Sequence, residues 1–264
     1  MNSSSPQRVI LRLSLPLALA VVTVCSLALG YVLPGGAILR HLVAARESLH
    51  ITTLRVEGTL AFSGRAVAEA AAALQLPSDK PETQSDATFS LKLPGRCRLD
   101  VSTPENVHLS VTEAAGRKHN EGGVIPALDM ALSQVCRLLA IRGSNEAETR
   151  AELDQKLRQS GVVTVDTGLG RVGDQVVYVL GRNTSTAPQF SIFKDSFLPA
   201  RIRFLDSAKS SWEVRFLDYN APAAGEMFPR IIDVLHEGER LARFTVLKVD
   251  AHLPLADRLF AGAP

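Results

Sequence analysis

Apolar and polar residues alternate strictly along much of this chain. In residues 51–63, Leu54, Val56, Gly58, Leu60 and Phe62 interleave with Thr53, Arg55, Glu57, Thr59 and Ala61. Period two sends the first set to one face of a strand and the second to the other. The same division returns further on. Ala87, Phe89, Leu91 and Leu93 oppose Thr88, Ser90 and Lys92; Cys97, Leu99 and Val101 oppose Arg96, Arg98, Asp100 and Ser102; Val107, Leu109 and Val111 oppose His108, Ser110 and Thr112. Pro94-Gly95 and Pro104-Glu105-Asn106 supply turns between them. One dry face and one wet face mark an antiparallel sheet.

More strands are predicted in the C-terminal half, at about 162–167, 172–182, 188–194, 198–206, 211–219, 228–236 and 240–249. Two alternate clearly: Ala200, Ile202 and Phe204 against Arg201, Arg203 and Leu205, and Trp212, Val214 and Phe216 against Glu213 and Arg215. Turn residues recur at Asp195-Ser196, Asp206-Ser207, Asn220-Ala221-Pro222 and Glu237-Gly238, a spacing of successive antiparallel strands. The total is about eleven strands.

Helical periods punctuate the strands. Ile38, Leu42, Ala45 and Leu49 form one stripe of a helix over 37–49, with Arg40, Arg46 and Glu47 off it. Pro126 to Arg142 is apolar over most of its girth, with Leu128, Leu132, Val135 and Leu139 in line, and reads as buried. Glu146 to Ser160 is a surface helix with Asn145 as N-cap and Glu148 three residues on. Between residues 64 and 86 the pattern is interrupted: Ala66 to Leu76 suits a short helix, Pro77 to Ser85 a mobile loop. Residues 116–124 read as polar loop, and Leu253 to Phe260 as a closing helix or strap.

A twisted open sheet of this size curls or splits. Every strand with clear alternation has an apolar face, and one long apolar helix needs a place to bury. These features predict an α+β fold: a curled antiparallel sheet, an unclosed half-barrel, with helices over its concave face. A closed barrel is the alternative, and a sandwich leaves helix 126–142 without a seat. The candidate ligand-binding set is the concave one: Leu54, Val56, Leu60, Phe89, Leu91, Leu99, Leu109, Ile202, Phe204, Trp212, Val214 and Phe216, with Leu132, Val135 and Leu139 from the helix.

Charge narrows the function classes. Of 29 basic residues only Arg8 and Arg12 lie in residues 1–30, where there is no acidic residue; the remaining 27 basic and 27 acidic residues balance. A neutral domain lacks the basic face that nucleic-acid binding needs. Arg8 and Arg12 precede an uncharged run from Leu13 to Leu33, which reads as a signal peptide cleaved before Tyr31, with a retained signal anchor as the alternative. Val22-Thr23-Val24 before Cys25 is no lipobox. In an exported domain starting near residue 37, Cys97 and Cys136 suggest a disulfide, with two buried thiols as the alternative. Cys97 shares parity with Leu99 and Val101, and Cys136 follows Leu132 by one helical turn, so both turn toward the same interior.

Catalytic and metal motifs are weak. Gly168-Leu169-Gly170-Arg171-Val172-Gly173 is followed by the strand-like Gln175 to Leu180, whereas a dinucleotide fingerprint needs a helix there; it reads as a hairpin turn. His41, His50, His108, His119, His236 and His252 are scattered, without metal-ligand spacing. His119 with Glu121 suits a solvated loop, and Arg201, Arg203 and Arg215 a solvated outer face. No catalytic residue, metal site or cofactor is expected.

Specific stretches carry a family likeness: "LHITTLRVEGTLAFSG" at 49–64, "FLPARIRF" at 197–204, "WEVRFLDYNAPAAGEMFPRIIDV" at 212–234 and "RFTVLKVDAHLPLADRLF" at 243–260. They resemble the LolA/LolB-like lipoprotein-carrier superfamily of the Gram-negative periplasm. The resemblance implies an unclosed barrel with a helical lid that binds acyl chains of lipoproteins or lipid without catalysis. Lipoproteins or an envelope membrane protein would be its partners, and a membrane-tethered sensor or protein-interaction module of the same fold is the alternative. The family's carrier holds its lid with an internal arginine. Arg55, Arg98, Arg201, Arg203 and Arg215 all have outward parity, so parity alone assigns that role to none of them.

Overall fold

The structure is a computed structural model that describes residues 32–182 and 184–261. The expected export segment over residues 1–30 and Cys25 lie outside the described residues. The strands are β1 (Thr53–Ser63), β2 (Glu82–Lys92), β3 (Arg96–Ser102), β4 (His108–Ala114), β5 (Arg117–Glu121), β6 (Thr167–Val172), β7 (Gln175–Leu180), β8 (Gln189–Phe193), β9 (Pro199–Leu205), β10 (Ser211–Leu217), β11 (Ile231–His236) and β12 (Glu239–Ala251). The helices are α1 (Gly35–Ser48), α2 (Ala66–Leu74), α3 (Pro126–Leu139) and α4 (Glu146–Gln159).

All twelve strands join one antiparallel sheet in the order β5-β4-β3-β2-β1-β12-β11-β10-β9-β8-β7-β6. The chain starts in the middle, steps outward by hairpins to the β5 edge, and crosses to the opposite edge through α3 and α4. It then steps back inward until β12 lies against β1. Both edges stay open, so the sheet is a half-barrel and not a closed one.

The crossing helix reports the curl. α3 touches β3 and β4 on one arm and β11 and β12 on the other. Four strand spacings separate β3 from β11, about 19 Å on a flat sheet, whereas a helix is only about 10–12 Å across. The sheet reaches the helix from both sides because it bends around it. Register keeps the apolar rows continuous across the bend: Leu60 opposes Phe244, Phe244 opposes Ile232, and Ile232 opposes Phe216. On the other arm Val56 opposes Phe89, Phe89 opposes Leu99, and Leu99 opposes Val111.

The sequence expectations need four corrections. Residues 117–121 form an edge strand, β5, because their backbone pairs with β4 while His119, Asn120 and Glu121 stay only half-covered. The expected loop over 77–85 is cut short: β2 begins at Glu82 and pairs up to Ser63, burying Thr83 and Ser85 on the dry side, where small hydroxyls hide the apolar alternation. Residues 162–166 are no strand. The Gly161 and Val162 amides close the end of α4 on the Arg158 and Leu157 carbonyls (2.9 and 3.1 Å), a helix C-cap instead of a strand ladder. The glycine-rich stretch is itself β6, with the hairpin turn only at Gly173, which has φ +61°.

α4 keeps its expected cap: the Asn145 side chain accepts from the Glu148 amide at 2.9 Å. At the C-terminus, Lys92 and Arg96 both hold Asp257, at 2.7 and 2.6 Å, and Phe260 is buried, so the tail is a strap. Among the described residues no helix is long and apolar enough to cross a membrane.

Candidate functional site

The concave face and α3 border a void of about 40 Å³. Its lining is entirely apolar. Leu60, Phe89 and Leu99 come from β1, β2 and β3; Ile232, Val234, Ala242 and Phe244 from β11 and β12; Leu128, Ala131, Leu132 and Val135 from α3; Phe228 closes one end. Gly58 makes room for the Phe244 ring. A Cβ there would lie 2.9 Å from that ring and overlap the Thr245 carbonyl, at the point where the β1–β12 register shifts.

A second apolar crevice, of about 50 Å³, shares Phe228 with the first. It is lined by Leu54, Leu91 and Leu139 with Leu49, Ile51, Leu93, Leu198, Pro199 and Met227, and by two polar side chains, Arg46 and Tyr219. Each void holds only a few water-sized spheres, against about 300–1,000 Å³ for a small-molecule pocket. The interior is almost filled by its own side chains, so a hydrocarbon chain fits only if α3 moves.

The attachments of α3 are unequal at its two ends. Cys136 is bridged to Cys97 of β3, with Cα atoms 5.8 Å apart. The last carbonyls of a helix lack partners within it; here that of Leu139 and the two just beyond the helix find partners from elsewhere. Arg46 Nη2 donates to the carbonyls of Leu139 (2.7 Å) and Ile141 (3.0 Å), and the Gly95 amide donates to that of Ala140 (2.7 Å). At the other end the ties are lighter: Asn120 donates to both Asp129 oxygens (3.0 and 3.2 Å) and Lys118 to the Asp129 carbonyl. Gly122 and Gly123, at φ +79° and +138°, precede that end.

Arg46, on α1 and outside the strands whose parity was read, is thus the arginine that holds the end of α3. It lies off the apolar stripe of α1, half-buried, with its Nη1 buried without a partner. Burial lowers its pKa to about 10, opposed by Tyr219 and Glu47, so it keeps its charge at neutral pH. Burial pushes the Tyr219 phenol up, opposed by Arg46, so it stays protonated.

The predicted site residues divide among several places. Leu60, Phe89, Leu99, Leu132 and Val135 line the first void, and Leu54, Leu91 and Leu139 the second. Val56, Leu109, Ile202, Val214 and Phe216 have no exposure and line neither void, and Phe204 is buried likewise. Trp212 lies elsewhere: its Nε1 donates to Asp206 (3.0 Å), its ring meets His236, and Arg65 sits over it. Parity reasoning missed Ile232, Val234, Ala242 and Phe244. The signal was present, since Asp233 and Arg243 interrupt two apolar pairs and meet each other on the convex side at 2.6 Å.

The convex face is more ordered than a solvated stripe. Arg201, Arg203 and Arg215 converge on buried Glu213, the latter two at 2.8 and 2.5 Å. Burial raises the Glu213 pKa, but the hydrogen bonds from Arg203 and Arg215 outweigh it and hold the carboxyl below its ordinary 4.5. His119 lies 3.5 Å from Glu121 on β5. Among the described residues no group of three or more His, Cys, Asp or Glu is placed to hold a metal.

No family model and no curated protein matches the sequence. Among solved structures the chain is similar to a LolA-superfamily protein from Nitrosomonas europaea, at 11% identity and TM-score 0.46, covering 87% of this chain and 98% of that one. It is similar to an outer-membrane lipoprotein-sorting protein domain from Vibrio parahaemolyticus, at 10% and 0.41, covering 85% and 95%. It is also similar to the MucA/MucB complex structure from Pseudomonas aeruginosa, at 15% and 0.32, covering 86% of this chain and 61% of that one. The first bears the superfamily name that the sequence stretches resemble.

Proposed function

We propose that this chain is a non-catalytic binding protein of the cell envelope that takes up an acyl chain between the concave face of its sheet and α3. One observation carries the reading: the void beneath α3 has no polar lining, and the helix over it is fastened firmly at one end and lightly at the other. Moving the light end exposes apolar surface that an acyl chain can cover, at about 25 cal/mol per Å². The Cys97–Cys136 bridge supports a compartment where disulfides persist, such as the periplasm.

Native mass spectrometry on protein isolated from the envelope tests the reading. Lipid is expected to co-purify, and protein stripped of it should bind a fluorescent long-chain acyl probe in competition with that lipid. Ligand-free protein that also ignores the probe would overturn the proposal.

A further inference from the structure

The second crevice is apolar except for Arg46 and Tyr219, which interact electrostatically. Both present an atom that is buried and without a hydrogen-bond partner, Nη1 of Arg46 and Oη of Tyr219. Guanidinium groups only donate, and a phenol kept protonated also has a proton to give. Two unused donors, one charged, in an apolar wall are costly unless an acceptor joins them.

Arg46 also borders a wider opening of about 210 Å³, whose walls mix Glu47, His50, Arg142 and Thr149 with the apolar Val43, Ile51, Leu93 and Ile141. On its inner side the crevice leads to Phe228, which also closes the void beneath α3. Charged side chains at the mouth, two donors at the boundary and hydrocarbon surface inside match an amphiphile with its head at Arg46. The Tyr219 ring is held in place by an edge-on contact with Phe193, centroids 6.0 Å apart, so its hydroxyl does not need ordering by the ligand.

We propose that Arg46 and Tyr219 form a headgroup site for the carboxylate of a long-chain fatty acid, whose tail runs inward past Phe228; this rests on the reading that the interior takes up acyl chains. A carboxylate is acceptor-only and carries two oxygens, one for each donor, and it neutralises the buried charge. A cationic head would be repelled by Arg46, and an alcohol would leave the charge uncompensated. Because Nη2 of the same guanidinium holds the end of α3, the carboxylate also stiffens the anchored end of the helix.

The test titrates the disulfide-bonded chain with cis-parinaric acid and with its methyl ester, in parallel with the Tyr219→Phe and Arg46→Met variants. The acid is expected to bind about tenfold or more tightly than the ester, and both variants should narrow that acid-to-ester ratio toward one. Tyr219→Phe preserves the ring contacts, so the test stands even where Arg46→Met fails to fold. Equal binding of acid and ester, unaffected by Tyr219→Phe, would overturn the headgroup assignment and leave acyl uptake standing. Failure of both probes would overturn acyl uptake itself and the headgroup assignment with it.

Discussion

Glu213 concentrates the electrostatics of the convex face in one buried carboxylate. Replacing it by Gln removes the counter-charge of three arginines, of which Arg201 and Arg203 are mostly covered. Breaking a buried ionic cluster on one side typically costs about 3–5 kcal/mol. Glu213→Gln should therefore lower stability in denaturant melts at neutral pH by about that much. The folded-state pKa lies below 4.5, so the carboxylate stabilises the fold above that pH and the contribution fades as pH falls through the folded value. The gap between native and Glu213→Gln proteins should accordingly shrink in acid; a gap that persists or widens there would contradict this role. Legibility at this scale was mixed. Alternation assigned Leu60 or Phe89 to the dry face because a strand's period leaves no choice. Arg46 escaped because its burial comes from the end of α3 folding over it, more than ninety residues away, and a local period carries no such contact.

Elements were easier to read than their ends. α3 announced itself by its apolar girth and by Pro126 at its start, and α4 by its Asn145 cap. β5 and the first residues of β2 were hidden because pairing with a neighbour, not side-chain pattern, makes them strands. The unequal fastening of α3 leads to two expectations. Replacing Cys97 and Cys136 together by Ala opens a loop of 39 residues, which in the chain-entropy model costs about 4 kcal/mol; a melt showing no loss would count against the tether. Asp129→Ala instead releases the lighter end. It should cost only about 1 kcal/mol yet raise amide exchange in the first turns of α3 and leave the turn around Cys136 protected. Uniform exchange along the helix would contradict the asymmetry.

The curled open sheet was legible as a whole, since so many strands sharing one dry face cannot stay flat. How little space the curl leaves was not. That depends on how Phe228, Phe244 and the α3 side chains interdigitate, and side-chain volume is summed only in three dimensions. The topology explains why α3 lies where it does: it is the link between the two sheet edges, so it must span the hollow. A chamber that exists only when this crossing segment swings away has a kinetic signature. Stopped-flow traces with increasing acyl probe should level off at the frequency of opening. Asp129→Ala should raise that ceiling. A rate that climbs in proportion to probe concentration throughout would mean that the hollow stands open beforehand.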